Sequence, residues 1–187
     1  MNELAERITK IDHQILLFIQ EHMRFDFLTP VMEYSSLLVN AGILWIVLGL
    51  ILLIFKRTRV MGMVMLSSLT LGFMVNNIFI KNIVARERPF NTFSDLIPLV
   101  KASGYSFASG HTTASFASAC VLVRFLNRPL AVITIAFAVI VAFSRLYLGV
   151  HYMTDVLCGF LIGLGSALLV YYIYSKKIDL KSHRIGC

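Results

Sequence analysis

The sequence predicts an all-α bundle of membrane-spanning helices, and three observations carry that reading. Of its 187 residues, 58% are hydrophobic and 14% charged, with a mean hydropathy of +0.79. A soluble domain is about 45–50% apolar and about 25% charged. Five apolar stretches, roughly 30–55, 60–80, 110–126, 129–147 and 152–174, approach the ~20 residues a helix needs to cross the hydrocarbon layer. Most of the charges that remain gather between these stretches or near their ends. One domain over 1–187 is expected, with the membrane bundle at 30–174.

Residues 5–24 precede the bundle. Ile8, Ile11, Ile15, Phe18 and Ile19 share a helical face, with Lys10, Asp12, His13 and Glu21 off it. This predicts an amphipathic helix lying in the membrane interface, and the alternative is a sixth span. Residues 1–10 carry Glu3, Glu6, Arg7 and Lys10 with no apolar stretch of the signal-peptide kind after them, so no cleaved signal is expected.

Basic clusters set the orientation. Lys56, Arg57 and Arg59 follow the first stretch, Arg124 and Arg128 flank the turn after the third, and Lys176, Lys177, Lys181 and Arg184 follow the fifth. With five alternating spans all three clusters fall on one side, which the positive-inside rule makes cytoplasmic. Residues 175–187 then form a basic cytoplasmic tail. The net charge of +7 is explained by this topology and by anionic headgroups, so no nucleic-acid partner is expected. Cys120, Cys158 and Cys187 are far apart and form no CxxC, which predicts neither a disulfide framework nor a cysteine metal site. Gly159, Gly163 and Gly165 on the last span suit close packing within the bundle.

The opposite face holds the loop 81–109 and the link 145–151. That loop is too long for a bare connection, and long loops in compact domains are usually functional or disordered. Both segments carry cations where the positive-inside rule predicts few. His151 and Asp155 stand four residues apart at the start of the last span, on one helical face. An ionisable pair at that depth is costly unless partnered, so it marks a site. A carboxylate there can take one imidazole N–H and leave the other nitrogen free to react. The plainer reading is a buried bond that ties two helices.

Three segments converge on this face: Lys81 to Pro89, Ser106 to His111, and Ser144 to Asp155. They supply the cations Lys81, Arg88 and Arg145, the histidines His111 and His151, the Ser109 hydroxyl, Gly110 and the Asp155 carboxylate. That inventory fits phosphoryl transfer, whose transition state is stabilised mainly by positioning and by positive charge. Arginine forks bind phosphate oxygens and lysine acts as a point charge. Ser109-Gly110-His111 opens an apolar helical run, and a helix start offers free N–H groups to an anion. Gly110 lets the backbone approach closely. Two other classes stay open on the residues alone. His111, His151 and Asp155 can be read as zinc ligands, although three adjacent cations would repel a divalent ion. An anion transporter would need polar residues along a path, and few stand in 30–55 and 129–143.

The three segments resemble the motifs of the type 2 phosphatidic acid phosphatase (PAP2) family: K-x6-R-P, P-S-G-H and S-R-x5-H-x3-D. Lys81, Arg88 and Pro89 match the first, Ser109, Gly110 and His111 the second, and Ser144, Arg145, His151 and Asp155 the third. One position departs: Ala108 stands where the family usually has proline, which would stiffen the entry to the turn. The resemblance implies a PAP2-type helical core and a bacterial membrane lipid phosphatase that uses no metal or other cofactor. His151 would be the nucleophile, Asp155 would orient it, and His111 would protonate the leaving oxygen and then activate water. Lys81, Arg88, Ser109, Gly110 and Arg145 would hold the phosphoryl group. Vanadate-dependent haloperoxidases share this oxyanion site in soluble form, and the membrane composition argues against them.

The substrate implied is an amphiphilic phosphate ester in the cell membrane, reached from the extracytoplasmic face. The small size resembles bacterial members that act on undecaprenyl diphosphate. Phosphatidylglycerol phosphate, phosphatidate and diacylglycerol pyrophosphate are alternatives. Arg86 and Lys101 are read either as partners for a second phosphate or as plain loop charges.

Overall fold

A computed structural model describes residues 3–183, apart from the side chain of Lys181. Arg184 and Cys187, and with them the end of the expected basic tail, lie outside the described residues. Among those described, all regular structure is helical: α1 (Glu3–His22), α2 (Leu28–Leu38), α3 (Ile43–Ile54), α4 (Arg59–Phe73), α5 (Lys81–Val84), α6 (Pro89–Thr92), α7 (Gly110–Leu122), α8 (Arg128–Tyr147) and α9 (Met153–Ser175). A π-helical stretch, Met74–Ile80, joins α4 to α5.

Three helical runs are long and apolar enough to cross a membrane: Arg59–Thr92, Arg128–Tyr147 and Met153–Ser175. The expected first span is a bent pair, α2 and the run from Asn40 to Ile54, which meet at 44°. The bend falls where Ala41 and Gly42 take φ of 51° and 73°, a conformation that breaks a right-handed helix. The expected span 110–126 is the 13-residue α7. At 1.5 Å per residue it is about 20 Å long, shorter than the hydrocarbon layer.

α7 is the centre of the bundle, and its sequence explains why. Thr112, Thr113, Ser115, Ala117, Ser118 and Ala119 are all buried, and small side chains let neighbouring helices close in. α9 answers with glycines. A Cβ on Gly159 would come 2.7 Å from Ser109 O, and one on Gly163 would come 2.7 Å from Thr113 O. Gly165 faces open space, with nothing within 4 Å of such a Cβ, so only two of the three glycines serve the packing. Hydroxyls stitch the rest: Ser68 Oγ donates to Ala117 O at 2.8 Å, and Trp45 Nε1 to Ser115 Oγ at 3.2 Å. The outer faces carry exposed Val47, Leu50, Val132, Ile133, Leu161 and Leu169. Such a surface suits lipid and would be a liability in water.

α1 divides its apolar residues: Leu16 and Ile19 are buried in the core with Ile15 packed against it, whereas Ile8, Ile11 and Phe18 are exposed, and Asp12 is buried at 1% exposure. His13 stacks on Phe93 at 3.9 Å and its Nε2 donates to the Asp95 carboxylate at 3.0 Å. Gln20 donates to Asp95 O at 2.9 Å and accepts from Ile97 N at 2.8 Å. The polar residues of α1 therefore hold the loop 81–109 in place. That loop is ordered further by Leu99 N donating to Leu148 O at 3.0 Å and Ser106 N to Arg86 O at 2.8 Å.

Candidate active site

The three motif segments meet at a cavity of about 890 Å3 between the α2–α3 bend, α4, the π-helical stretch, α7 and the α8–α9 link. Lys81, Arg88, Lys101, Gly110, His111, Arg145 and His151 line its polar end. Val39, Ile46, Leu66, Leu69 and Phe73 line the apolar remainder. A phosphate with a hydrocarbon tail has the same two-ended character.

His151 sits in the link between α8 and α9, 2% exposed. Gly149, with φ of 72°, makes the turn that brings it there. A Cβ at Gly149 would lie 2.9 Å from Arg24 Nη2 and 3.2 Å from Ile97 O, so glycine is required by conformation and by space. His151 Nδ1 lies 3.4 Å from Asp155 Oδ2, long for a hydrogen bond, and it has no closer partner. A proton on Nδ1 facing the carboxylate leaves Nε2 as the reactive atom. Burial pushes the His151 pKa down to about 4, with the hydrogen bond and charge of Asp155 pulling the other way. The imidazole is thus neutral at neutral pH, the state a nucleophile needs.

Asp155 lies behind His151 and is fully buried. Its Oδ2 accepts from Tyr152 N at 2.9 Å and from Ser106 Oγ, and its Oδ1 accepts from Arg86 Nη1 at 3.0 Å. It stands in the first turn of α9, where the helix dipole favours a negative charge.

Arg88 is 6% exposed. Its Nε donates to Gly104 O at 3.0 Å, Nη1 to Val150 O at 2.8 Å and Nη2 to Ser103 O at 2.9 Å. Nη1 also lies 3.5 Å from His151 Nε2. Three of its five N–H groups hold backbone, so two remain for a ligand. Arg145 Nη1 donates to Ser36 Oγ, and its buried Nε has no partner. Lys81 has no hydrogen-bond partner among the described residues.

Ser109 stands apart from the expected set. Its Oγ accepts from Thr112 Oγ1 at 2.9 Å and Thr112 N at 3.4 Å, capping α7. It is fully buried and does not line the cavity, whereas Gly110 and His111 do. Ala108, at the family's proline position, is fully buried and its carbonyl accepts from Asn76 Nδ2 at 3.3 Å.

Arg86 pairs with carboxylates and is not among the residues that line the cavity. Its guanidinium bridges Asp12 and Asp155 and lies 3.6 Å over the Tyr152 ring. Lys101 remains on the cavity wall. Asp12, Ser36, Asn76 and Asn77 enter the site region without a sequence expectation. The only signal for the asparagines was two polar residues inside an apolar stretch. Both Asn76 Oδ1 and Asn77 Oδ1 are buried without partners at the cavity, on a π-helical turn of the kind often found at functional sites. No three of His, Cys, Asp and Glu among the described residues are grouped to hold a metal ion.

A helical membrane protein whose cavity joins cations and histidines to an apolar lining has the character of an enzyme that hydrolyses lipid phosphates. Residues 61–179 match the PAP2 superfamily, and the chain belongs to that family. It is 34% identical over 140 residues to an undecaprenyl-diphosphatase of Sulfolobus acidocaldarius, covering 72% of this chain and 68% of the relative. It is 36% identical over 143 residues to phosphatidylglycerophosphatase B of Bacillus subtilis, covering 70% and 64%. A lipid A 4'-phosphatase of Bacteroides thetaiotaomicron is 29% identical over 187 residues, covering 92% and 81%. The crystal structure of a transmembrane PAP2-type phosphatidylglycerolphosphate phosphatase from Bacillus subtilis superposes with a TM-score of 0.73 at 29% identity, covering 91% of this chain and 87% of that one. The fold is also that of LpxE from Aquifex aeolicus, with a TM-score of 0.77 at 24% identity over 85% and 93% of the two chains. The chain is a membrane lipid phosphatase, a hydrolase.

Proposed function

We propose that this phosphatase converts undecaprenyl diphosphate to undecaprenyl phosphate through a phosphohistidine on His151. The observation that carries the chemistry is His151 itself: Asp155 stands behind Nδ1, and Arg88 stands beside Nε2. His151 Nε2 attacks phosphorus, and the bond to the leaving oxygen breaks as His111, entering the step as the imidazolium, gives that oxygen a proton and becomes neutral. His111 then takes a proton from water, whose oxygen attacks the phosphohistidine and frees inorganic phosphate and neutral His151. Lys81, Arg88 and Arg145 hold the phosphoryl oxygens. The free N–H groups at the start of α7 add to them, on a helix that Ser109 caps. Four cations at the cavity, with Lys101 included, repel a divalent metal ion and do its electrostatic work.

Relatives named undecaprenyl-diphosphatase support the diphosphate substrate. The long apolar wall supports a polyprenyl or acyl tail. Phosphatidylglycerol phosphate is the second reading, favoured by the fold and sequence likeness to enzymes of that name. The chain crosses the membrane five times in this reading, with α7 and its turn completing one crossing. The lipid-facing stripe of α1 lies in the interface, and the cavity opens on the extracytoplasmic side. Phosphate release by purified protein in detergent, over a panel of lipid phosphates with and without EDTA, tests the proposal. Turnover of undecaprenyl diphosphate in EDTA, at a higher kcat/KM than the other lipids, is expected. Loss of all activity in EDTA with recovery on a divalent ion overturns the metal-free mechanism, and preference for another lipid overturns the substrate.

A further inference from the structure

One buried charge cluster lies outside every motif residue except Asp155. Arg86 Nη2 donates to Asp12 Oδ2 at 2.9 Å, and Arg86 Nη1 to Asp155 Oδ1 at 3.0 Å and to Thr154 Oγ1 at 2.7 Å. Asp12 Oδ1 accepts from Thr154 N at 3.0 Å, and Asp12 Oδ2 from the Thr154 hydroxyl. Asp12 is 1% exposed and Asp155 is fully buried. The Tyr152 ring covers the guanidinium. Asp12 comes from α1, far in sequence from the other members.

The charge balance of this cluster bears on His151. Asp12, Arg86 and Asp155 together carry a formal charge of −1, which faces the imidazole that becomes positive as the phosphohistidine forms. Without Asp12, Arg86 and Asp155 sum to zero, and the remaining guanidinium draws on the carboxylate that His151 needs. Buried charges are felt strongly because little water screens them.

We infer that Asp12 is a positioning residue for catalysis: it takes up the charge of Arg86 and holds Thr154, so that Asp155 keeps its negative charge and its aim at His151. This rests on the reading of His151 as the nucleophile. The N-terminal helix thus contributes to the reaction as well as covering the loop.

The test uses full-length protein in detergent with undecaprenyl diphosphate, or whichever lipid of the panel the wild type turns over best. Steady-state kcat and KM, the rate of phosphoenzyme formation and Tm are compared for wild type, Asp12→Asn, Asp12→Glu and the double variant Asp12→Asn with Arg86→Met. The expected loss in kcat and in phosphoenzyme rate for Asp12→Asn is on the order of 10- to 100-fold, as for carboxylates that support a ligating histidine. KM should stay within about twofold, since Asp12 does not line the cavity. Asp12→Glu should regain most of the rate. The double variant should be faster than Asp12→Asn alone, because the uncompensated guanidinium is gone. Wild-type kcat in Asp12→Asn overturns the inference. So does a double variant slower than the single one, the outcome expected if Asp12 merely docks α1. If Asp12→Asn fails to fold, Asp12→Glu decides the matter: kcat and phosphoenzyme rate near wild type support the inference, and a folded Asp12→Glu that has lost both overturns it. A wild-type enzyme that turns over without any phosphohistidine overturns the underlying reading instead.

Discussion

The backbone N–H of Ser109 donates to the carbonyl of Asp155 over 3.0 Å. The turn that opens α7 and the helix that carries the carboxylate are therefore fixed to each other at the site. One turn along α9, Gly159 keeps the two helices in contact. Gly159→Val should force α7 and α9 apart, cost about 1–3 kcal/mol as overpacking does, and lower kcat by moving Asp155. Gly165→Ala should leave both Tm and kcat near wild type. Thermal unfolding in detergent together with phosphate release checks the contrast between the two glycines.

Arg88→Lys should lose activity and stability together. A single ammonium cannot reach Ser103 O, Gly104 O and Val150 O at once as the guanidinium does. Leaving a buried carbonyl without its donor costs about 1–3 kcal/mol, seen as a fall in Tm. Lys81→Ala should lower kcat/KM on the order of tenfold, as losing a charged hydrogen-bond donor does, with Tm nearly unchanged, because its amine has no hydrogen-bond partner among the described residues.

The depressed pKa of His151, about 4, has a stability consequence. In the unfolded chain the imidazole titrates near 6.5, so between about pH 6.5 and 4 the unfolded state binds a proton that the folded state does not. Stability must fall as the pH drops through that window. His151→Gln, which cannot titrate, should show a shallower fall. Tm measured from pH 8 to pH 4 for both proteins gives the comparison, and equal slopes would assign the acid sensitivity to other groups.

Topology is tested at Ser94, which is exposed in the loop that α1 holds. With the native cysteines replaced, Ser94→Cys should react with a membrane-impermeant thiol reagent in intact cells. Labelling that needs lysed cells would place the site on the cytoplasmic face.

The catalytic candidates were legible in the sequence because each motif is a local spacing: Lys81 to Pro89, Ser109 to His111, and Ser144 to Asp155. The Asp12–Arg86 pair was not, since 74 residues separate its members and nothing local marks them as partners. The stripe Ile8, Ile11, Ile15, Phe18 and Ile19 gave the helix α1 but did not say which of its members meet protein: Ile15 and Ile19 pack on the core, Ile8, Ile11 and Phe18 are exposed, and the Asp12 carboxylate turns inward. The stretch 110–126 reads as a span by composition, and what its hydropathy did not reveal is that α7 within it is only 13 residues long and packed among the other helices. The π-helical turn at Asn76 and Asn77 leaves no mark in a periodicity taken over a whole helix. Ser109 matched its motif, and that its hydroxyl oxygen also caps α7 is a role only geometry shows.

The central claim is that the phosphoryl group passes through His151. Rapid quench of wild type, His151→Ala and His111→Ala with phosphorus-labelled substrate, followed by alkaline gel analysis for acid-labile phosphate, tests it directly. The wild type should carry transient acid-labile label, His151→Ala none, and His111→Ala a reduced but detectable amount when the leaving group is good, as the phosphate monoester of a diphosphate is. Label in His151→Ala with none in His111→Ala would contradict the assignment and exchange the roles of the two histidines.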